Sequence, residues 1–203
     1  MKTMHALVNA MIFSNELKSP HIIDAFKEVD RKYFVPESLR EETYIDYALP
    51  IGNGQTISQP STVAFMLEKL APQKGDKVLD IGSGSGWTTA LLCHIVGEKG
   101  SVTGVERVSA LVEQGQENLS QFDFDHGCIK QAGEKLGLPS EQFDRILVSA
   151  AADEIPEELF SQLKIGGTLV IPVDNSIYKF TKISEEQIEN EEFYGFIFVP
   201  LIY

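Results

Sequence analysis

The sequence predicts an α/β protein with a mostly parallel, doubly wound sheet, an antiparallel strand pair at its C-terminal edge and a helical segment in front. Three observations lead there. Between Lys77 and Val173, short apolar runs alternate with amphipathic stretches through brief connections. That rhythm belongs to parallel sheets covered on both faces. One apolar run empties into Gly82-Ser83-Gly84-Ser85-Gly86, the kind of turn that sits at the carboxyl edge of such sheets. After Val173, two strand-like runs follow with no helical pattern between them, which favours antiparallel pairing.

Element by element, Met4, Leu7, Val8, Met11 and Ile12 recur at helical spacing. "SPHIIDAFKEVDRKYF" places a candidate cap at Ser19, Pro20 in the first turn, and Ile22, Ile23, Phe26 and Val29 on one face. The rest of the first sixty residues reads as loop, with a helix starting near Pro60 and Ser58 or Ser61 as candidate caps. "KVLDIG" is a strand and "WTTALLCHIVG" a helix stopped at Gly97; "SVTGVE" is a strand, "SALVEQGQENLSQF" a helix and "GCIKQA" a weak strand. "FDRILVSAAA" is a strong strand, "EIPEELFSQLKIGG" a helix and "TLVIPV" a strand. "YKFTKIS" and "EEFYGFIFVPLIY" form the closing pair, separated by a polar turn at "EEQIEN".

At 203 residues the chain suits one domain with a continuous core. It carries 30 acidic and 17 basic side chains, a net charge of −13. A field of that sign repels phosphate backbones, so nucleic acid is a poor partner. No apolar run approaches the ~20 residues that span a bilayer, and the start lacks a secretory cleavage pattern. A cytoplasmic protein without membrane association follows. Cys93 and Cys128 show no metal spacing and read as two reduced, buried thiols.

"VLDIGSGSGW" is the chemical centre. Glycines let a ligand approach the backbone, and the helix after them offers unpaired N–H groups. The spacing is GxGxG, with Trp87 where the dinucleotide fingerprint has its third glycine, and no Lys followed by Ser or Thr completes a phosphate loop. Asp80, two residues before Gly82, disfavours a pyrophosphate and attracts a cation. Glu106, 24 residues beyond Gly82 at the end of the next strand, can accept ribose hydroxyls. A cationic nucleoside without phosphate satisfies both: S-adenosylmethionine. "VSAAA", Val148–Ala152, leaves a small floor at a strand end, suited to a peptide or a substrate side chain. Asp144 and Asp153 read as a solvated face or turn rather than a metal site.

"DYALPIGNGQTISQP", "VLDIGSGSGW", "FDRILVSAAADEIPEEL", "QLKIGGTLVIPV" and "FVPL", with "VDRKYFVPE" upstream, resemble the protein-L-isoaspartate (D-aspartate) O-methyltransferase family over roughly Ile22 to Leu201. The resemblance implies a Rossmann-like S-adenosylmethionine-dependent methyltransferase fold over 1–203, with residues 1–60 as N-terminal helices and substrate loop and 61–203 as cofactor-binding core. It implies methyl transfer to the side carboxylate of L-isoaspartyl residues in damaged proteins, a repair step in which the ester then closes to a succinimide. Ser58 takes the active-site role; Gln55, Thr56, Ile57, Ser58 and Ala150 form the substrate site. Thr56, Ile57, Asp80, Gly82, Ser83, Gly84, Gly86, Glu106, Arg107, Gly133 and Glu134 hold the cofactor, which leaves as S-adenosylhomocysteine. No metal is implied, the partners are isoaspartyl peptides and proteins, and a monomer is expected.

The chain departs from the family pattern at "AGEKLG", where Glu134-Lys135 replaces Asp-Gly. The resemblance leaves two readings, that Glu134 makes the aspartate's bond to the adenine with one more methylene or that the adenine sits differently, and Lys135 replaces a glycine suited to positive φ. Trp87 replaces a tyrosine, and Asp30 a proline. Two other readings remain open: a methyltransferase for a different carboxylate, such as an aspartate in a modified peptide, and a cofactor-binding domain with little catalysis.

Overall fold

The computed structural model describes residues 3–202; the expected domain limits at 1 and 203 lie outside them. Helices α1 (Met4–Phe13) and α2 (Pro20–Glu28) lead the chain, and a hairpin of β1 (Leu49–Gly52) and β2 (Gln55–Ile57) follows. Helix α3 (Pro60–Leu70) then opens the alternating core. The core runs β3 (Lys77–Ile81), α4 (Trp87–Val96), β4 (Ser101–Glu106), α5 (Ser109–Leu119), β5 (Gly127–Gln131), β6 (Phe143–Val148), β7 (Leu163–Val173), β8 (Ser176–Lys182) and β9 (Ile188–Tyr194).

The seven-stranded sheet has the order β5-β4-β3-β6-β7-β8-β9. β5 through β7 are mutually parallel, whereas β8 is antiparallel to both β7 and β9. The order reverses beside β3, which places a crevice beyond the carboxyl ends of β3, β4 and β6. Buried side chains form two clusters. One gathers residues from α1 to α5, including Phe26, Leu67, Trp87 and Leu91, against one sheet face. The other joins Leu79, Ile146, Leu169 and Ile171 of the sheet to Leu136 and Leu159.

Four local expectations change. The segment before β7 is a short 3-10 turn, Glu157–Gln162, rather than a helix. The fully buried Gln162 side chain donates to the Leu136 carbonyl (2.9 Å) and accepts from Leu138 N–H (2.7 Å), and Leu163 already pairs with Phe143. These bonds draw the chain back into the sheet at Leu163 before an α-helix can form. β9 begins inside the stretch read as a polar turn, and its glutamates suit a solvated edge strand. Gly195 (φ +107) then ends it, so "FIFVPLI" is a strap rather than a strand: Ala151 N–H donates to Val199 O (2.8 Å) and Leu201 N–H to Ala151 O (2.7 Å). Residues 49–57 form a hairpin instead of an open loop. Its Asn53-Gly54 corner has positive φ at both positions (+54 and +73), the sequence signal for a tight hairpin turn. Finally, Cys93 is buried but Cys128 is exposed on β5.

Candidate active site

The glycine turn is fixed from below. Gly82 and Ser83 N–H groups both donate to Val105 O (2.8 and 3.2 Å), which ties the turn to β4. Gly86 has φ +89, and a Cβ there would come within 2.9 Å of Ile129 and 3.1 Å of the Gly115 carbonyl. The spacing of the turn therefore owes as much to packing against α5 as to any ligand. Gly84 (φ +52) would put a Cβ 3.2 Å from Ile51 of the hairpin, so the hairpin closes directly over the turn.

Glu106 is 7% exposed and its two oxygens accept from Gly84 N–H and Val108 N–H, both at 2.9 Å. A carboxylate offers about four acceptor sites, so each oxygen can still receive a ligand hydroxyl. Asp80 lies deeper. It is fully buried, one oxygen accepts from the Thr88 and Thr89 hydroxyls (2.7 Å each), and the other has no partner among the described residues. Burial pushes its carboxyl up to about 6, with nearby Glu106 adding to the rise and the two threonine bonds opposing it. Asp80 has no place on the cleft wall, so its reach toward a cationic ligand is through its field and not through contact.

Above the turn lies an open cleft at the carboxyl edge of the sheet, where ligands of such folds bind. Gln55, Thr56, Gly82, Gly84, Glu106 and Arg107 border it, together with Gly133, Lys135, Ala150 and the strap residues Val199–Ile202. A second, narrower space between hairpin and turn is bordered by Thr56, Ile57, Ser58, Ser83 and Thr88. A third, outer cavity is bordered by Ala48, Thr56, Ser58, Gln59, Thr62, Ser149 and strap residues Ile197–Val199. The residues expected to meet cofactor and substrate thus converge, with five exceptions. Gly86 serves packing and Asp80 lies beneath. Glu134 is exposed and off the cleft wall, where Lys135 stands instead. Ala150 and Gln55, expected on the substrate side, border the cofactor cleft. Lys135 does not take positive φ; Gly137 (φ +72) supplies the left-handed position two residues later.

The substrate loop is held by a group that the sequence reading passed over. Arg31 is fully buried and donates to the carbonyls of Thr43 (2.8 Å), Tyr47 (3.0 Å) and Ser58 (3.0 Å), with longer contacts to Ile45 and Ile57. Its guanidinium sits 5.4 Å over the Trp87 ring, and Trp87 donates to Val29 O (3.3 Å). Burial lowers the Arg31 pKa to about 10. Its signal was a lone arginine in "VDRKYF", which reads equally well as a surface cation. Ser58 is not the cap of α3. Gln59 holds that position, and Asp46 accepts from Ser61 N–H (2.9 Å) and from the Gln59 amide (3.1 Å). The Ser58 hydroxyl is therefore not spent on the helix. Asp30 caps the following 3-10 turn through Lys32 N–H (3.0 Å) and accepts from the Tyr44 hydroxyl (3.0 Å). Asp144 accepts from Lys77 N–H (2.8 Å) and pairs with Lys164 (2.7 Å).

An open α/β sheet, a close-approach glycine turn without a phosphate-loop lysine, and a strand-end carboxylate define a nucleoside-binding protein of the S-adenosylmethionine-dependent methyltransferase class. Residues 2–203 match the family described as protein-L-isoaspartate(D-aspartate) O-methyltransferase. The chain is 39% identical over 202 residues to the protein-L-isoaspartate O-methyltransferase of Ignicoccus hospitalis, covering 97% of this chain and 95% of that protein. It is 44% identical over 191 residues to the one from Flavobacterium psychrophilum, covering 92% and 88%. A Plasmodium falciparum structure described as a protein-L-isoaspartate O-methyltransferase with S-adenosyl-L-homocysteine superposes with a TM-score of 0.90 at 26% identity, over 100% of this chain and 99% of that one. The chain belongs to the protein-L-isoaspartate(D-aspartate) O-methyltransferase family.

Proposed function

We propose that this protein methylates the side-chain carboxylate of L-isoaspartyl residues in proteins, using S-adenosylmethionine, as a repair activity. One observation carries the reading: among the described residues, the polar side chains bordering the outer cavity are four hydroxyls and one amide, set beside apolar residues and with no cation. It opens beside the cofactor cleft, with Thr56 on both walls. The residues fit the cofactor. Glu106 stands ready for ribose hydroxyls, the glycine turn permits close approach, and the partnerless Asp80 oxygen beneath supplies a negative field.

When bound, S-adenosylmethionine supplies an electrophilic methyl on a sulfonium sulfur that departs as a neutral thioether. The protein has no proton to move, because an aspartyl-type carboxylate with a pKa near 4 is already ionised at neutral pH. Ser58 and Thr56 orient the anion by donating hydrogen bonds to it. A lysine or arginine in their place would stabilise the charged ground state more than a transition state in which that charge is being lost. Arg31 holds the Ser58 carbonyl and thereby the loop, which limits the geometries the nucleophile can sample. The strap, bonded to Ala151 at both Val199 and Leu201, forms one wall of the cleft.

The reading extends to a single-domain monomer of the cytoplasm, with a net charge of −13 arguing against nucleic-acid partners. Its test pairs an isoaspartyl peptide with its aspartyl twin and labelled S-adenosylmethionine. Label should enter the first as a base-labile ester and not the second. Equal labelling of both peptides refutes the proposal; binding of cofactor with labelling of neither assigns the chain to cofactor binding alone.

A further inference from the structure

Ser149 follows β6 at the carboxyl edge of the sheet. Its N–H still donates to Ile81 O (2.9 Å), so the backbone there is held by β3. Ile81 pairs with Val148, and strand side chains alternate between faces. Val148 belongs to the cluster on the face away from the helices and Leu147 to the cluster on the helical face. Ser149 therefore continues on the side of Leu147, toward α3, α4 and the hairpin. Its hydroxyl oxygen is enclosed and has no hydrogen-bond partner among the described residues. A buried hydroxyl left so costs about 1–3 kcal/mol, and alanine in that place avoids the cost.

Among the described residues, only Ser149 and Thr56 border all three spaces: the cofactor cleft, the narrow space between hairpin and turn, and the outer cavity. A methyl donor in the first and a carboxylate in the third must meet at that junction. Ser58 reaches it from the hairpin, and Ser149 reaches it from the rigid sheet edge. A carboxylate has two oxygens and accepts only. A hydroxyl with no acceptor of its own is free to donate to it.

We infer that Ser149 is a second substrate-contacting hydroxyl, donating to the isoaspartyl carboxylate from the sheet side while Ser58 donates from the hairpin side. The inference rests on the proposed function. Two donors on opposite walls fix the plane of the carboxylate, so that one oxygen faces the methyl. One donor alone leaves the group free to rotate about its hydrogen bond. The partnerless state of the hydroxyl is stability given up at a site whose geometry serves the reaction.

The experiment uses the full chain as wild type, Ser149→Ala and Ser149→Thr, with an isoaspartyl peptide. It measures kcat and kcat/KM, cofactor affinity by calorimetry, and melting temperature. For Ser149→Ala we expect kcat and kcat/KM to fall together by ten- to a hundredfold. Cofactor affinity should stay within twofold, with a melting temperature equal to wild type or higher. Ser149→Thr, which keeps the hydroxyl, should recover most of the rate. A kcat for Ser149→Ala within twofold of wild type overturns the inference. So does a loss of rate matched by an equal loss of cofactor affinity, which would make the hydroxyl a cofactor ligand, or a lowered melting temperature with threonine no better than alanine. If wild type itself fails to methylate the peptide while binding cofactor, the proposed function falls and takes this assignment with it. A dead Ser149→Ala beside an active wild type leaves the function standing.

Discussion

Replacing Asp80 by asparagine tests whether the cofactor turn stands on a buried charge. The carboxyl is fully buried and its proton affinity is raised from near 4 to about 6, chiefly by burial. A folded-state pKa above the unfolded value means the native protein binds the proton more tightly. Its contribution to stability is therefore complete below the unfolded pKa and is lost as pH rises through the folded one. Each tenfold change in proton affinity is worth about 1.4 kcal/mol, so the ionised Asp80 costs the fold about 3 kcal/mol at pH 8. Asparagine keeps one oxygen for the Thr88 and Thr89 hydroxyls, now at 2.7 Å, and carries no charge. Any misfit of its amide is the same at every pH and cancels when two pH values are compared. Urea unfolding of both proteins at pH 4 and pH 8 should show Asp80→Asn gaining about 2–3 kcal/mol on wild type between the two conditions. A stability difference that does not change with pH would refute the buried-charge account. In the same preparation, affinity for S-adenosylmethionine should fall more than affinity for S-adenosylhomocysteine, because only the former carries the sulfonium charge that the Asp80 field favours.

Ser58→Ala should lower kcat and kcat/KM together by about ten- to a hundredfold, one charge-assisted hydrogen bond's worth. Cofactor affinity and melting temperature should stay near wild type, because Asp46 and not Ser58 caps α3; unchanged kinetics would remove its catalytic role. Glu106→Ala should weaken cofactor binding by about 1.5–3 kcal/mol and Glu106→Gln by less, read by calorimetry, with equal affinity in all three proteins ruling out the ribose contact. Glu134→Ala should leave cofactor affinity within twofold, since that side chain is exposed and off the cleft wall; a tenfold loss would restore the adenine role expected from sequence. Arg31→Met should cost about 1–3 kcal/mol of stability for each carbonyl left buried without its donor, and wild-type-like urea unfolding would show that the loop does not depend on it.

The glycine turn, its two acids and the strand–helix rhythm were legible because each is local. A strand, a turn and a helix are contiguous, and the period of the apolar residues changes where the element changes. The hairpin at Asn53-Gly54 is equally local, but Pro50-Ile51-Gly52-Asn53-Gly54 carries the composition of a loop as readily as that of a tight turn. What escaped was assembled across the chain. Arg31 is one residue in a run of mixed charges, and its role exists only once carbonyls from 43 to 58 fold around it. The strap resembles a strand because "FIFVPLI" is an unbroken apolar run, but the wall of a cleft calls for apolar residues as a sheet face does. Glu134 shows the converse difference. The family pattern placed an acid by position along the chain, whereas the cleft wall is set by the direction of each side chain, and one residue of offset hands the place to Lys135.

That difference explains why the two hydroxyls at the reaction junction were unequally visible. Ser58 lies in a motif whose polar residues have no reason to cluster in an ordinary loop, so it drew attention as sequence. Ser149 sits at the end of an apolar strand beside three alanines, where a small polar residue reads as part of a neutral floor. Nothing in "VSAAA" separates the serine from its neighbours until β3 fixes which face it takes and the hairpin supplies the opposite wall. Alternation then sends Ala150 to the cofactor cleft and leaves Ser149 at the border of all three spaces. The chemistry asks for donors that orient an anion without adding charge, and the two walls meet that demand by different means. The hairpin side depends on Arg31 to hold its loop, while the sheet side needs only the hydrogen bond from Ser149 N–H to Ile81 O. Loosening the Arg31 clamp should therefore erode the Ser58 contribution first and leave that of Ser149 in place. The kinetic effects of Arg31 and Ser58 substitutions should be non-additive with each other, and those of Ser58→Ala and Ser149→Ala should be non-additive too, because both hydroxyls donate to one carboxylate.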